Sequence, residues 1–342
     1  MISLNSMQKG QQSFVLPQPP VITHWASVAG KKESEGPLKS YFDITNTDTR
    51  FGEKTWEQAE KRMQQLALDT LSKKAGISLT DISLVYSGDL LNQCIGSSFT
   101  LRNTGIPHIG LYGACSTMAE GLMMAAMTVG GGFFDRVAAM TSSHFASSER
   151  QYRFPLGYGG QRTPTSQWTV TGSGAALVCR NGKGPKIAGC TVGTVTDLGI
   201  CDANNMGSAM APAALATIRA HFRDFQTDAS DYDLIVTGDL GQVGKEMLLT
   251  LAQREGISIG GKLTDCGTLV FDPLKQDVHA GGSGCGCSAV TLCGYLLDKL
   301  NTGKLKRILF CGTGALLSPT STQQGLPIPG VCHAVIITGG NE

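Results

Sequence analysis

One order of helices and strands occurs twice along this chain of 342 residues, and this duplication limits its possible folds more than any other feature. In the first half, the apolar positions of 55–74 predict an amphipathic helix, and the strand ISLVYSGD follows it. In the second half, 212–225 predicts a helix with Pro212 in its first turn, and the strand YDLIVTGD follows. Both strands end on a Gly-Asp pair, which indicates equivalent positions in two copies of one unit.

The correspondence continues to the end of each half. A helix after Cys115 leads to the strand RVAAMTSSH, and a helix near Cys285 leads to the strand KRILFCGTG. The halves then close on GAALVCR and HAVIITG, and the turn-rich segment NGKGP separates them. Strands that alternate with helices of about 10–15 residues predict an α/β protein with parallel-rich sheets. We therefore expect two duplicated halves, 1–182 and 183–342, packed face to face with the two central helices buried between their sheets.

Composition argues against several classes of function. The 28 Lys and Arg nearly balance the 27 Asp and Glu, and the pair Lys31-Lys32 is typical of a solvated loop, so we expect no nucleic-acid partner. The N-terminus lacks a signal-peptide pattern, and the most apolar segment, 121–134, is too short and too glycine-rich to span a membrane. The 11 cysteines lie without regular spacing, many of them in apolar stretches, which is typical of reduced thiols in the cytosol.

Two further motifs do not fit their context. GCGCSA, starting at Gly284, has the glycine spacing of a dinucleotide site but follows a polar loop and not a strand. Cys285, Cys287 and Cys293 could form a metal site with His279, but the segment has no paired CxxC. We therefore predict neither a dinucleotide cofactor nor a protein-held metal.

The segment LYGACSTMAEGL contains the first candidate for chemistry. Cys115 lies at the start of a predicted helix, where free N–H groups and the helix dipole lower the pKa of a thiol and attract anions. Ser116 and Thr117 are candidates to cap this helix, and Glu120 could complete a capping box with Thr117. The alternative is that Cys115 is a small buried apolar residue, as most cysteines are.

The duplicated halves with a cysteine on the first central helix resemble the thiolase fold of thiolases and ketoacyl synthases, with its αβαβα layers. HAGGSGCG, starting at His279 and including Gly282, resembles the His-x-x-Gly loop in the second half of that superfamily. CGTGA, with Thr313 and Gly314, resembles its glycine-rich loop before the closing strands. The resemblance implies that both loops face the nucleophile and form an oxyanion hole, in which a histidine polarises a thioester carbonyl.

A closer resemblance covers the chain from about residue 13 onward. The segments YGACSTMAEGL, TSSHFASSERQYRFP and TGDLGQVGKEM are similar to those of the stage V sporulation protein AD family of spore-forming bacteria. This resemblance implies binding of dipicolinic acid, free or as its calcium chelate, in a thiolase-like pocket during uptake into the developing spore. It also implies integral membrane channel subunits as partners and a peripheral location on the cytoplasmic side of the spore inner membrane. A homodimer is expected because thiolase-like relatives pair the edge strands of their sheets.

One position departs from the enzymes of the superfamily. Condensing relatives carry a histidine after the second-half strand, where this chain has Asp239. A carboxylate cannot replace a neutral imidazole as a hydrogen-bond donor unless its pKa is strongly raised. We therefore expect a binding protein without enzymatic activity. Two alternatives are an acyl-thioester transferase or hydrolase with Cys115 as nucleophile and His279 as base, and a structural subunit with a vestigial pocket.

Dipicolinate is a flat aromatic dianion, so its pocket needs hydrogen-bond donors and cations. The stretch 149–171 has weak apolar periodicity and contains Arg150, Arg153 and Arg162. Each of these arginines could make a bidentate contact with a carboxylate. His144 follows a strand at the end where α/β pockets open. The full set of candidate ligand-binding residues is Cys115, His279, His144, Arg150, Arg153, Asp239, Gly282, Thr313 and Gly314. Calcium that enters with the ligand is the one cofactor considered.

Overall fold

The computed structural model describes residues 7–152 and 162–340. The strands are β1 (Gln8–Lys9), β2 (Ser13–Val15), β3 (Val21–Ala29), β4 (Ile44–Thr45), β5 (Leu84–Gly88), β6 (His108–Gly110), β7 (Arg136–Ser143), β8 (Trp168–Thr169), β9 (Gly172–Cys179), β10 (Lys186–Thr191), β11 (Leu234–Thr237), β12 (Leu263–Asp265), β13 (Gly282–Ser283), β14 (Arg307–Ala315) and β15 (Gly330–Thr338). The α-helices are α1 (Trp56–Ala75), α2 (Ile95–Leu101), α3 (Thr117–Gly130), α4 (Phe145–Tyr152), α5 (Met206–Phe225), α6 (Gly241–Arg254), α7 (Cys266–Val270), α8 (Cys285–Thr291), α9 (Leu297–Asn301) and α10 (Pro319–Gln323).

The strand order shows the duplication directly. The main sheet runs β12-β11-β14-β15-β10-β3-β9-β7-β5-β6, so its two ends have the same order of equivalent strands. The outer-edge strands are β6 and β12, and the strand that closes each half lies antiparallel to its neighbours. The two sets meet where β10 pairs with β3, at Lys186 and Val21, and with β2. The boundary between residues 182 and 183 stays a prediction.

Helices cover both faces of the strands in five layers, as predicted. The helix α1 packs on the first set of strands and α5 on the second, while α3 contacts strands of both sets. Because successive residues of a strand point to opposite faces, Ile308 and Phe310 of β14 lie in the central core, and Leu309 and Cys311 face the layer of α5. Burial on both faces explains why these strands are continuous apolar runs in the sequence.

The ends of the helices follow local capping chemistry. Thr55 accepts a hydrogen bond from the Gln58 N–H at the start of α1, and Gly76 ends that helix with a left-handed φ of 63°. The helix α5 begins at Met206, six residues before the predicted start, because the Asn205 side chain accepts from the Ser208 N–H. The prediction that Pro212 lies in the first turn was therefore wrong.

Candidate functional site

Cys115 lies on a tight turn that follows β6 along the chain. Residues Ala114–Ser116 form a single 3-10 turn before α3, and Ala114 has a left-handed φ of 52°. The Ser116 hydroxyl lies 2.7 Å from the Gly113 carbonyl oxygen and 2.7 Å from Glu120 Oε1, and Thr117 Oγ1 donates to the Ala114 carbonyl at 2.6 Å. These side chains bind back to the turn instead of capping α3, so the predicted capping box was wrong. The turn holds the thiol at the end of α3 nearest to the second half.

Three groups of the second half influence the Cys115 thiol. They are the Asp239 carboxylate, the Ser283 hydroxyl and the Gly284 backbone N–H. Asp239 is fully buried and accepts from Thr313 Oγ1 at 2.8 Å and from the Gly284 N–H at 2.9 Å. Of the two Gly-Asp positions of the duplicated strands, the second therefore belongs to the surroundings of the thiol.

This environment keeps Cys115 protonated. Burial raises the pKa of the Cys115 thiol well above its usual range, and the charge of Asp239 and its hydrogen bond raise it further. The sequence predicted a lowered pKa from the start of α3, and that prediction was wrong, because burial and a buried carboxylate outweigh the helix end. Burial also raises the pKa of Asp239, against the opposing effect of its hydrogen bonds.

Cys115 forms one wall of a narrow cavity of about 40 Å³. The lining residues come from both halves and are Leu90, Ala114, Cys115, Ser148, Glu149, Tyr152, Thr169, Met206, Ser283, Ala315 and Leu317. Glu149 is the charged group in this described lining, which contains no Lys, Arg or His. Asp239, behind the thiol, adds a second carboxyl group to this part of the site.

The tyrosine at the cavity was missed in the sequence. Tyr152 ends α4, donates to the Leu90 carbonyl at 2.6 Å and lies 2.9 Å from the Tyr112 hydroxyl. The neighbouring residues Ser148 and Glu149 reach the cavity from the same helix. Their signal was the position of TSSHFASSERQY directly after a central strand, where α/β proteins form ligand sites.

The two predicted glycine-rich loops lie around the site in different ways. In CGTGA, Thr313 holds Asp239, and a Cβ on Gly314 would approach the Gly113 carbonyl oxygen to 2.7 Å, so this loop packs against the Cys115 turn. In HAGGSGCG, the Gly282 carbonyl accepts from Gln167 Nε2 at 2.8 Å. The exposed His279 side chain lies 3.4 Å from Asp277 Oδ1 and is absent from the described cavity lining. Its left-handed φ of 49° marks a chain reversal that separates it from Ser283.

The predicted ligands His144, Arg150 and Arg162 make their contacts away from the Cys115 cavity. His144 is buried, with Nε2 2.7 Å from the Thr49 carbonyl oxygen and Nδ1 accepting from the Ala146 N–H. Arg150 pairs with Glu57, and Arg162 lies 3.1 Å from Asp277 Oδ1. Arg153 lies outside the described residues. None of the three described side chains lines the Cys115 cavity.

The structure also bears on metals and on the other cysteines. In 7–152 and 162–340, no three His, Cys, Asp or Glu side chains are grouped as a metal ion would require. All eleven cysteines are free thiols, and Cys201 is the exposed one. Within the same ranges, no helix has the length and apolarity needed to cross a membrane.

Comparison with known proteins assigns the family. The family model described as Stage V sporulation protein AD (SpoVAD) matches residues 10–338. The chain belongs to the stage V sporulation protein AD family. The Stage V sporulation protein AD of Bacillus subtilis (strain 168) is 44% identical over 327 residues, which are 96% of this chain and 96% of that protein.

Solved structures show that this SpoVAD family member has a thiolase-like fold. The 3-oxoacyl-[acyl-carrier-protein] synthase III of Aquifex aeolicus VF5 matches with a TM-score of 0.56 at 13% identity, over 93% of this chain and 99% of that chain. OleA of Xanthomonas campestris matches with a TM-score of 0.58 at 15% identity, over 95% of this chain and 99% of that chain. At such identities the likeness concerns the fold.

Proposed function

We propose that this sporulation protein binds dipicolinic acid, free or as its calcium chelate, at the Cys115 cavity, which widens from about 40 Å³ to admit the ring, and that it does not catalyse a reaction there. The observation that carries the proposal is the burial of the Cys115 thiol with the Asp239 carboxylate, whose charge raises the pKa of the thiol. A nucleophilic cysteine needs a thiolate, which a buried carboxylate in contact with the sulfur opposes. By the resemblance to condensing enzymes, Asp239 stands at the position where those enzymes carry a histidine. The remaining role of the cavity is binding.

The buried Asp239 carboxylate favours the calcium chelate over the free dianion. Asp239 lies behind the thiol, so a bare dicarboxylate would meet a like charge in a desolvated space. Calcium cancels the two negative charges of dipicolinate. Because the described residues offer no metal site of their own, the oxygens that bind calcium would come chiefly from the ligand.

Calorimetric titration with dipicolinate, with and without calcium, tests this proposal. We expect saturable binding that is stronger with calcium, because the chelate is neutral. Leu90→Trp fills the cavity and should weaken binding at least about tenfold, whereas Leu274→Trp, at a side chain that is 95% exposed, should leave it unchanged. Thermal unfolding of each variant controls for loss of the fold.

Two outcomes would contradict the proposal. One is the absence of heat at millimolar dipicolinate and calcium from folded protein. The other is binding that Leu90→Trp leaves intact, because the ligand would then lie elsewhere. Equal binding with and without calcium would refute the charge argument while leaving the cavity assignment in place.

Acyl-thioester transfer or hydrolysis is a second candidate, favoured by the position of Cys115 on a turn with a left-handed residue before it. Mass spectrometry after incubation with acyl-coenzyme A thioesters of several lengths would detect an acyl group on Cys115. Its absence at all lengths would count against an enzyme.

The partners belong to the same proposal. We propose a homodimer through the outer edge strand β6, where Ile109 is 48% exposed and Tyr112 is 49% exposed. Integral membrane subunits of the dipicolinate channel would hold this dimer at the cytoplasmic side of the spore inner membrane. Sedimentation of the purified protein at twice its 36.0 kDa mass would support the dimer, and sedimentation as a monomer would refute it.

A further inference from the structure

A second cavity, here called the tryptophan pocket, lies outside the site described above. Its walls include Lys31, Lys32, Glu33, Trp56, Phe145 and Trp168, and its volume is about 460 Å³. This volume lies within the range of about 300–1,000 Å³ that is typical of sites for small organic ligands. The pocket contains two of the three tryptophans of the chain.

The tryptophan pocket and the Cys115 cavity lie on opposite sides of two shared elements. In β8, Trp168 faces the tryptophan pocket while Thr169 faces the Cys115 cavity, as alternation along a strand requires. In α4, Phe145 and Ala146 face the first and Ser148 and Glu149 face the second. A ligand in one cavity therefore does not occupy the other.

At the tryptophan pocket, two cationic side chains lie over the ring of Trp168. Trp168 stacks on Phe145 with ring centroids 3.8 Å apart and planes inclined by 8°. The Lys32 ammonium lies 3.8 Å from the centroid of Trp168, and the Arg162 guanidinium lies 4.7 Å from it. Burial lowers the pKa of Lys32, and the charge of Arg162 lowers it further. Because Arg162 also pairs with Asp277, and Glu35 lines the pocket as well, Lys31 and Lys32 are the cations that a ligand anion would contact.

The loop that carries Lys31 and Lys32 is already ordered. Gln276 Nε2 donates to the Lys32 carbonyl at 2.7 Å, and Glu33 Oε1 accepts from the Thr171 N–H at 2.9 Å. Because these bonds exist before a ligand arrives, binding does not require ordering of the loop.

Glu33 has a buried carboxyl oxygen without a hydrogen-bond partner among the described residues. The residue is fully buried in the wall of the pocket, and this oxygen is its Oε2. Burial raises the pKa of Glu33 to about 7, so near neutral pH the carboxyl is partly protonated and cancels little of the lysine charge. In the protonated form it offers a donor to a ligand oxygen or nitrogen.

We propose that the tryptophan pocket binds a planar aromatic carboxylate, with its ring against the aromatic walls and its charge beside Lys31 and Lys32. The aromatic walls favour a flat ring, and the cations favour a carboxylate. This site is separate from the dipicolinate site proposed at Cys115, and the two proposals can be tested independently.

Titration with isophthalate, monitored by tryptophan fluorescence without calcium, tests the site. Isophthalate is planar and dianionic and lacks the ring nitrogen with which dipicolinate chelates calcium. We expect saturable quenching that Lys32→Gln weakens about tenfold, since one charge-assisted contact is lost. Lys304→Gln, at an exposed lysine, is the matched control and should bind like the unmodified protein. Neutral isophthalamide and flexible glutarate should both bind more weakly.

Several results would contradict this proposal in part or as a whole. No binding by folded protein, or binding unaffected by Lys32→Gln and Trp168→Leu, overturns it. Calorimetry with Leu90→Trp distinguishes the two cavities, because loss of isophthalate binding in that variant would assign the ligand to Cys115. Equal binding of glutarate would refute the requirement for a planar ring, and equal binding of isophthalamide would refute the requirement for charge.

Discussion

Asp239 makes the same kind of contact to Cys115 that a catalytic base would make, but with the opposite effect on reactivity. An imidazole can take the thiol proton and become a cation that stabilises the thiolate. A buried carboxylate near the thiol instead repels the negative charge that deprotonation would create. The Thr313 hydroxyl donates to this carboxylate at 2.8 Å and accepts from the Asp239 backbone N–H at 3.0 Å.

Replacing this carboxylate should make the thiol more acidic. In Asp239→Asn the buried charge disappears, so the pKa of Cys115 should fall, and each unit of decrease gives about ten times more thiolate at a given pH. Iodoacetamide labelling across pH, read by peptide mass spectrometry, measures this effect with the exposed Cys201 as an internal standard. Equal Cys115 labelling in both folded proteins would show that Asp239 does not control the thiol.

The central helix α8 approaches its strand more closely than side chains normally permit. A Cβ on Gly174 of β9 would lie 2.5 Å from the Ala289 carbonyl oxygen and 2.6 Å from its carbon. Backbone atoms of a buried helix cannot give way as a flexible side chain can. Small residues on both elements therefore set the spacing of the central layer, and that spacing brings Ser283 and Gly284 to the thiol.

Gly174→Ala should destabilise the fold by about 1–3 kcal/mol, the range typical of overpacking in a core. Gly261→Ala is the matched control, because no atom lies within 4 Å of the added Cβ and its φ is not left-handed. Urea unfolding followed by circular dichroism gives both free energies of unfolding. If the Gly174→Ala protein is as stable as the control, then α8 and β9 can move apart without loss of free energy of unfolding.

Buried carboxyl groups are distributed through the whole molecule and link its stability to pH. Burial, followed by the charge of Asp89, raises the pKa of Glu60 from 4.5 to about 8. Burial raises the pKa of Asp265 to about 7 as well. Between the unfolded and folded pKa values, the folded protein retains protons that the unfolded chain has released, so stability should fall as pH rises.

Glu60→Gln should reduce this dependence on pH. Above about pH 5 the unfolded chain ionises Glu60 while the folded protein does not, so each further pH unit disfavours folding by on the order of 1 kcal/mol until about pH 8. Urea unfolding at pH 5.5, 6.5 and 7.5 measures the slope, with the exposed Glu246→Gln as control. A slope unchanged by Glu60→Gln would show that Glu60 is ionised in the folded protein.

Most of the architecture followed from periodicity. Alternating strands and helices, together with the repeated order of elements, predicted two duplicated halves with the central helices between their sheets, because burial on both faces produces apolar runs that are visible in the sequence. The five layers were implied by the resemblance to the thiolase fold. The end of a helix was harder to predict. Pro212 suggested a first turn, but Asn205 lies upstream as a cap, and capping depends on a side-chain contact that periodicity does not encode.

The candidate site was only partly predictable, and the reason is distance along the chain. The sequence identified Cys115 as a candidate because it lies at the start of a predicted helix, and the resemblance to the thiolase superfamily implied Asp239 and Thr313. Asp239 lies 74 positions from Thr313 and more than a hundred from Cys115, and packing brings these residues together. The environment of the thiol, and with it the direction of the pKa shift, depends on that packing.

Local chemistry and repetition along the chain thus determined the elements, their order and the turn that carries the thiol. Three-dimensional packing decided which side of α4 and β8 each candidate faces, so that Tyr152 lies at the Cys115 cavity and His144 at the tryptophan pocket. A helix of eight residues points its side chains in all directions, and the sequence does not state which cavity lies on which side. Only the neighbours that pack around the helix answer that question.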